Sequence, residues 1–115
     1  MSSSGSETQN EWLVILPDKT DADAVKRRLE VRGKHLEAAM ERASQGIINF
    51  GGIMLHEHIK EGETPKFKGS IMLFKLETKE EVLEIIKSDK YIENNVWDLE
   101  KMEIYPFRTA LRKAL

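Results

Sequence analysis

The segment Glu11-Trp12-Leu13-Val14-Ile15-Leu16, which ends at Pro17, decides the fold. Its β-branched and aromatic residues are typical of a strand, and the proline ends it because a proline has no N–H group to donate to a neighbouring strand. Alternate residues of a strand face opposite sides of a sheet, and here both alternating sets are apolar. The segment therefore predicts a strand with two apolar faces.

The rest of the chain supplies three further strands and two helices. Apolar runs predict strands over residues 47–56, 69–76 and 101–107, and apolar residues at helical spacing predict a helix over residues 24–45. Thr78 and Glu81 form a capping box that opens a second helix. The order βαββαβ is the ferredoxin-like α+β fold, an antiparallel four-stranded sheet with both helices on one face.

The two apolar faces of the sheet predict a homodimer. An antiparallel sheet with one solvated face alternates apolar and polar residues, but residues 69–76 repeat the two-sided pattern of the first strand. Two helices cover only one face, so the second face needs another sheet, most simply that of an identical subunit. The expected assembly is a dimeric α+β barrel with two sheets packed face to face.

Composition limits the domain organisation and the classes of partner. The 115 residues suffice for one domain, which we place at residues 11–108, between a disordered Ser/Gly-rich leader (1–10) and a C-terminal tail (109–115). The net charge of −2 gives no support for nucleic acid or an anionic membrane as a partner. Cysteine is absent and no apolar run is long enough to span a bilayer, so we expect a cytoplasmic protein.

The first helix holds the unusual residues of the chain. Gly33 lies in its middle, where glycine costs about 1 kcal/mol relative to alanine, so we expect the main helix to begin near Gly33 and to place His35 in its first turn. In a continuous helix, Arg32 instead falls near the centre of an apolar stripe. A charge there must be paired or must bind an anion. The stripe consists of Val25, Leu29, Leu36, Met40 and Ala43.

Several short motifs together resemble one family. They are Arg28-Leu29-x-Val31-Arg32-x-x-His35-Leu36, Gly51-Gly52, Gly69-Ser70, Asp89-x-Tyr91 and Pro106-Phe107. The set resembles the YCII-related family of dimeric α+β barrels over residues 11–108. Gly33 and Lys90 stand where that family usually has proline, and a proline at the first position fits a helix start.

The resemblance implies a catalytic pair, His35 and Asp89, in a pocket with Arg32 and Ser70 as neighbours and Tyr91 lining it. The family includes a dehydrochlorinase of a chlorinated hydroquinone, and the wider superfamily holds isomerases, cyclases and monooxygenases of small compounds. Each assignment also has a purely structural alternative. In these alternatives His35 is a surface histidine, Asp89 caps a turn, Arg32 makes a structural ion pair, Ser70 opens a strand and Tyr91 is half-buried at a helix end.

Two functional classes follow from these residues. The first is an enzyme without cofactor, a lyase or isomerase in which His35 moves a proton, Asp89 orients it and Arg32 steadies an oxyanion. The second is a non-catalytic dimer that binds a small ligand or a protein in the same cleft. We expect no metal site, because His56 and His58 offer only two ligands at the entrance of a charged loop.

Overall fold

A computed structural model describes residues 10–113. The elements are β1 (Glu11–Pro17), α1 (Ala24–Ser44), β2 (Ile48–Leu55), β3 (Phe67–Lys75), α2 (Lys79–Lys87), α3 (Lys90–Glu93), a 3-10 turn (Leu99–Lys101) and β4 (Glu103–Phe107). This order confirms the predicted α+β fold. The predicted leader lies outside the described residues except for Asn10, as do the last two residues of the predicted tail.

The sheet is antiparallel throughout, with the strand order β2-β3-β1-β4. Val14, in the centre of β1, pairs with Met72 of β3 and with Ile104 of β4. Alternate residues of β1 and β3 face the helices, and the buried core forms there. Its members include Val14, Leu16, Met72, Phe74, Val82, Ile86, Val96 and Trp97.

Helix α1 is continuous, so the prediction that the main helix begins near Gly33 was wrong. It runs unbroken from Ala24 to Ser44, and the two ends are each more than two turns from His35. The helix tolerates Gly33 because packing against the sheet outweighs the small propensity cost of one exposed glycine. His35 therefore lies in the middle of a helix, not in a first turn.

The face of α1 that packs inward is also not the predicted apolar stripe. The buried residues are Ala24, Arg28 and His35, with Val31 packed against the core between them. At 3.6 residues per turn, the centre of this face lies roughly 110° around the helix from the centre of the apolar stripe. The stripe is consequently left largely exposed along the flank of α1, with Met40 at 69% of its maximal exposure.

The second helix follows the prediction closely. Thr78 accepts a hydrogen bond from the backbone N–H of Glu81, whose carboxylate accepts one from the backbone N–H of Thr78. Val82 and Ile86 are fully buried on the inner side. β4 begins two residues later than predicted, because residues 99–101 form a 3-10 turn capped by Asp98.

The C-terminal tail crosses the outer face of the sheet, opposite the helices. The backbone N–H of Thr109 donates to the carboxylate of Glu11 at 2.8 Å, and Arg112 donates to the carbonyl of Asn49 on β2 at 2.9 Å. The hydrogen bonds from Thr109 lower the pKa of Glu11. Leu73, on this face, is 2% exposed. The described part of the tail, residues 109–113, forms no helix.

Within residues 10–113, no helix is both long and apolar enough to cross a membrane.

Two glycines give opposite stability predictions. An alanine Cβ at Gly69 would collide with the carbonyl oxygen of Leu16 and lie 2.8 Å from Cα of Pro17, both of them backbone atoms. We therefore expect Gly69→Ala to destabilise the fold by about 1–3 kcal/mol. At Gly33 a Cβ meets nothing within 4 Å, so Gly33→Ala should stabilise the fold by about 1 kcal/mol.

Urea unfolding of both variants measures the difference. Destabilisation by Gly33→Ala would contradict the continuous helix, because only a non-helical backbone at that position would prefer glycine.

Candidate functional site

A cavity of about 360 Å³ lies between α1 and strands β2 and β3. Four of the five residues predicted for the site line it, namely Arg32, His35, Ser70 and Tyr91. The fifth, Asp89, lies behind His35 and contacts it. The structure thus brings the predicted residues to one place.

His35 and Asp89 form a buried pair. Nδ1 of His35 lies 2.9 Å from Oδ1 and 3.1 Å from Oδ2 of Asp89, and the two side chains are 11% and 9% exposed. Asp89 is also the N-cap of α3, because its Oδ1 accepts the backbone N–H of Tyr91 at 2.8 Å. Asp89 therefore caps α3, as its structural alternative predicted, and also pairs with His35.

The pair determines which ring nitrogen of His35 is left as an acceptor. An ionised carboxylate only accepts hydrogen bonds, so a neutral imidazole must donate from Nδ1. The other nitrogen, Nε2, then carries the lone pair. It has no hydrogen-bond partner among the described residues, and His35 lines the cavity.

Two aromatic rings hold the imidazole in place. The ring of His35 stacks on that of Tyr91, with centroids 4.0 Å apart and planes 15° apart. Trp97 meets both rings edge-on, at 5.3 Å and 5.2 Å. Burial raises the pKa of Tyr91, while Arg28 and Arg32 oppose the shift. The hydroxyl of Tyr91 therefore stays protonated near neutral pH and remains a hydrogen-bond donor.

Arg28 is the buried arginine of the site, and the sequence interpretation gave it no role. It is 1% exposed, its Nε lies 3.3 Å from Oδ2 of Asp18, and its NH2 group donates to the Ser70 hydroxyl at 2.8 Å. The guanidinium also lies over the rings of Phe67 and Tyr91, 4.8 Å and 4.7 Å from their centroids. One signal was available, because Arg28 and His35 are seven residues apart and so share a helix face.

The partner of Arg28 is itself a buried carboxylate. Burial raises the pKa of Asp18, and the positive charge of Arg28 opposes this shift. Within residues 10–113, Oδ1 of Asp18 and Nε of Arg28 have no partner with hydrogen-bond geometry. The ion pair is therefore held by charge more than by directed hydrogen bonds.

The hydroxyl group of Ser70 can still donate a hydrogen bond. Its hydroxyl oxygen accepts hydrogen bonds from Arg28 at 2.8 Å and from the indole N–H of Trp97 at 3.2 Å. Both groups only donate, so the hydroxyl hydrogen of Ser70 is left to donate elsewhere. Because Ser70 lines the cavity, this hydrogen is available to an oxygen atom of a ligand.

Arg32 occupies a different place from the one expected in a continuous helix. It is exposed, not buried within an apolar stripe, and it makes no ion pair with Asp89. Among the described residues, its side chain has no hydrogen bond or salt bridge. Its charge is therefore free at the cavity wall that it helps to form.

The His56-Glu57-His58 segment is separate from this site. The carboxylate of Glu57 pairs with Lys66 at 2.7 Å and with Lys60 at 3.5 Å. Within the described part of the chain, no group of three or more His, Cys, Asp or Glu residues is placed to hold a metal ion.

Three comparisons relate the chain to known proteins. The model of the YCII-related domain matches residues 11–108. Over 104 residues, the chain is 34% identical to aspercryptin biosynthesis cluster protein B of Emericella nidulans, covering 90% of this chain but only 65% of that protein. It is 36% identical to fusaric acid biosynthesis protein 2 of Gibberella fujikuroi, covering 86% of this chain and 93% of that protein.

A solved structure shares the fold. It is that of 5-chloro-2-hydroxyhydroquinone dehydrochlorinase from Burkholderia phenoliruptrix AC1100 in complex with 2,5-dihydroxybenzoquinone. The TM-score is 0.69 at 16% sequence identity, over 87% of this chain and 95% of the other. At this identity the likeness concerns the fold alone.

Replacement of Arg28 should destabilise the fold far more than replacement of Arg27. Arg28→Met leaves the carboxylate of Asp18 buried without its counter-charge, and we expect a loss of about 3–5 kcal/mol in unfolding free energy. Arg27→Met, the control, removes a partly exposed ion pair with Asp21 and two hydrogen bonds to the carbonyl of Asn95, and should cost clearly less because no charge is left buried. Urea unfolding measures both variants.

Adding Asp18→Asn to Arg28→Met should restore part of the loss, because no buried charge then remains unpaired. Equal effects of Arg27→Met and Arg28→Met would contradict a structural role for the buried pair.

Proposed function

The chain belongs to the YCII-related family, and we propose that it is an enzyme without cofactor that moves a proton on a small molecule. The single observation that carries this proposal is the buried His35–Asp89 pair, oriented so that the free Nε2 of His35 is the acceptor at a cavity. Imidazole is the side-chain group that most readily accepts and returns protons at cellular pH.

In the proposed step, Nε2 of His35 takes a proton from a C–H or O–H group of the substrate. The electron pair left behind moves onto a substrate oxygen, where Arg32 and the Ser70 hydroxyl stabilise the negative charge. Asp89 stabilises the imidazolium. The proton then returns to another substrate atom, which gives isomerisation or cyclisation. If a leaving group departs with the electron pair instead, the proton goes to water, which gives elimination.

The relatives support a small-molecule biosynthetic or catalytic role. Two of them are named for the biosynthesis of aspercryptin and of fusaric acid, and the structural neighbour is a dehydrochlorinase, which is an elimination enzyme. They do not name a substrate for this chain, and we extend to it only the class of reaction.

A second candidate function is a non-catalytic protein that binds a small ligand in the same cavity. The mostly apolar lining of the cavity favours it, since such a surface binds a ligand whether or not a proton is moved. The two candidates differ in whether His35 is needed for turnover or only for affinity.

We also propose that the protein is a homodimer that buries the outer face of the sheet. Two aromatic side chains of β4 remain exposed there, Tyr105 at 48% and Phe107 at 41%. Sedimentation at micromolar concentration should give a dimer. Tyr105→Glu should shift it to a monomer, while Ile59→Glu, on an exposed loop away from the sheet, should not. A monomeric wild-type protein would contradict the proposed assembly.

The catalytic proposal predicts that charge at residue 89 is needed for turnover but not for folding. Asp89→Asn retains an oxygen that caps α3 while losing the charge that stabilises the imidazolium. We expect a fold close to that of the wild type and a loss of about 10²–10⁴ in turnover, with His35→Gln at least as impaired. Turnover is measured as deuterium uptake from D₂O by a panel of cyclic monoketones, whose uncatalysed exchange is slow at neutral pH, and as chloride release from 5-chloro-2-hydroxyhydroquinone.

His58→Gln is the matched control, because His58 is an exposed histidine outside the cavity. Nitrogen-15 NMR of the wild-type protein adds a test that needs no substrate, since neutral His35 should carry its proton on Nδ1. A proton on Nε2 would remove the acceptor from the cavity and overturn the catalytic role. Turnover that survives His35→Gln would overturn it as well.

A further inference from the structure

The cavity is polar at one end and apolar at the other. Along α1, the residues that line it change from Arg28, Arg32 and His35 in the first part of the helix to apolar side chains in the last part. These apolar residues are Leu36, Ala39, Met40 and Ala43. At 1.5 Å per residue, the wall from position 28 to position 43 is about 22 Å long.

The strands that form the opposite wall place the hydroxyl of Ser70 at the same end as Arg28. Ser70 of β3 pairs with Ile53 of β2 at the polar end. Two residues further along β3, Met72 pairs with Gly51, and β2 continues past the apolar Phe50. Asn49 is a polar residue at this end, and its backbone carbonyl already accepts a hydrogen bond from Arg112. Both walls are therefore mostly apolar toward the end of α1.

The polar end is suited to an anion. The charge of Arg28 is already paired with Asp18, but that of Arg32 has no partner among the described residues. The spare hydrogen of the Ser70 hydroxyl and the protonated hydroxyl of Tyr91 add two neutral donors. A cation and donor hydroxyls without a free carboxylate favour a negatively charged oxygen.

The apolar end exposes side chains that a ligand would bury. Met40 is 69% exposed, Phe50 51% and Leu36 44%, and all three line the same cavity. Contiguous apolar side chains left in water mark binding surfaces. Methionine adapts its shape to different partners, so this end suits a flexible chain better than a rigid ring.

We infer that the ligand of this cavity is an elongated amphiphilic acid. Its carboxylate lies against Arg32, next to the substrate oxygen at which the negative charge develops beside Ser70, and its apolar chain runs along the last two turns of α1 toward Ala43. This inference names the substrate class of the proposed enzyme and rests on the same site. The same inference predicts that Ala43 determines how long an apolar ligand chain the cavity accepts.

A series of 4-alkylbenzoates tests the inference by binding alone, without turnover. Isothermal titration calorimetry of the full chain compares benzoate, 4-butylbenzoate and 4-octylbenzoate, each below its micelle-forming concentration. Affinity should rise about fourfold for each methylene that becomes buried, at one molecule per chain. The uncharged 4-octylbenzyl alcohol should bind more weakly than 4-octylbenzoate.

Two variants locate the ends of the ligand. Arg32→Gln should weaken every benzoate about tenfold or more, as expected when a charged hydrogen-bond partner is lost, and should leave the alcohol unchanged. Lys34→Gln, the same change of charge on an exposed position outside the cavity, is its control. Ala43→Leu should weaken octylbenzoate at least tenfold and leave benzoate unchanged, with Ser44→Leu as the control.

Affinity that does not grow with chain length, more than one molecule per chain, or equal effects of the site and control variants would each overturn the inference. The His35→Gln variant separates the two proposals. If His35→Gln loses turnover while the affinity of the wild-type protein for the alkylbenzoates does not depend on chain length, only the proposed substrate class fails. If it keeps turnover while the alkylbenzoates follow the expected pattern, the catalytic role of His35 fails and the amphiphile site stands.

Discussion

The burial of the Arg28 guanidinium is the constraint on which the site depends. A buried charge must be paired, and Arg28 meets this requirement with groups from three other parts of the chain: Asp18 after β1, Ser70 on β3 and the ring of Tyr91 on α3. These contacts fix the rotation of α1 over the sheet. His35, two turns further along the same face, is thereby set against the start of α3, where Asp89 receives it.

The fold was predictable because it depends on short-range patterns. Apolar runs ended by proline or glycine gave the strands, and the Thr78–Glu81 capping box located the second helix within a residue. The His35–Asp89 pair came from the resemblance, since residues 54 positions apart share no local pattern. Helical spacing, however, tells which residues share a face and not which face is buried. For α1 the spacing therefore predicted a buried apolar stripe. In the structure this stripe lines the cavity or is exposed to solvent.

The same limit explains why Arg28 was missed while Arg32 was expected within a buried stripe. The two arginines are one turn apart on the same helix, so their spacing alone does not show which of them is buried. What separates them is the position of Asp18 and of the Phe67 and Tyr91 rings, which only the packed sheet brings together. The helix-propensity cost of Gly33 led to the wrong prediction of a helix start for a related reason. Packing along the whole helix outweighs one unfavourable residue.

The two ends of the cavity are subject to different constraints. At the polar end each group serves twice: Asp89 both caps α3 and holds His35, and the Ser70 hydroxyl accepts two hydrogen bonds while keeping one to give. A substitution there that removes one of these hydrogen-bonding atoms changes the fold and the site together. At the apolar end, Met40 and Phe50 are largely exposed, so their replacement costs the fold little. A chain with this architecture can therefore change the apolar end of its cavity without rebuilding the His35–Asp89 pair.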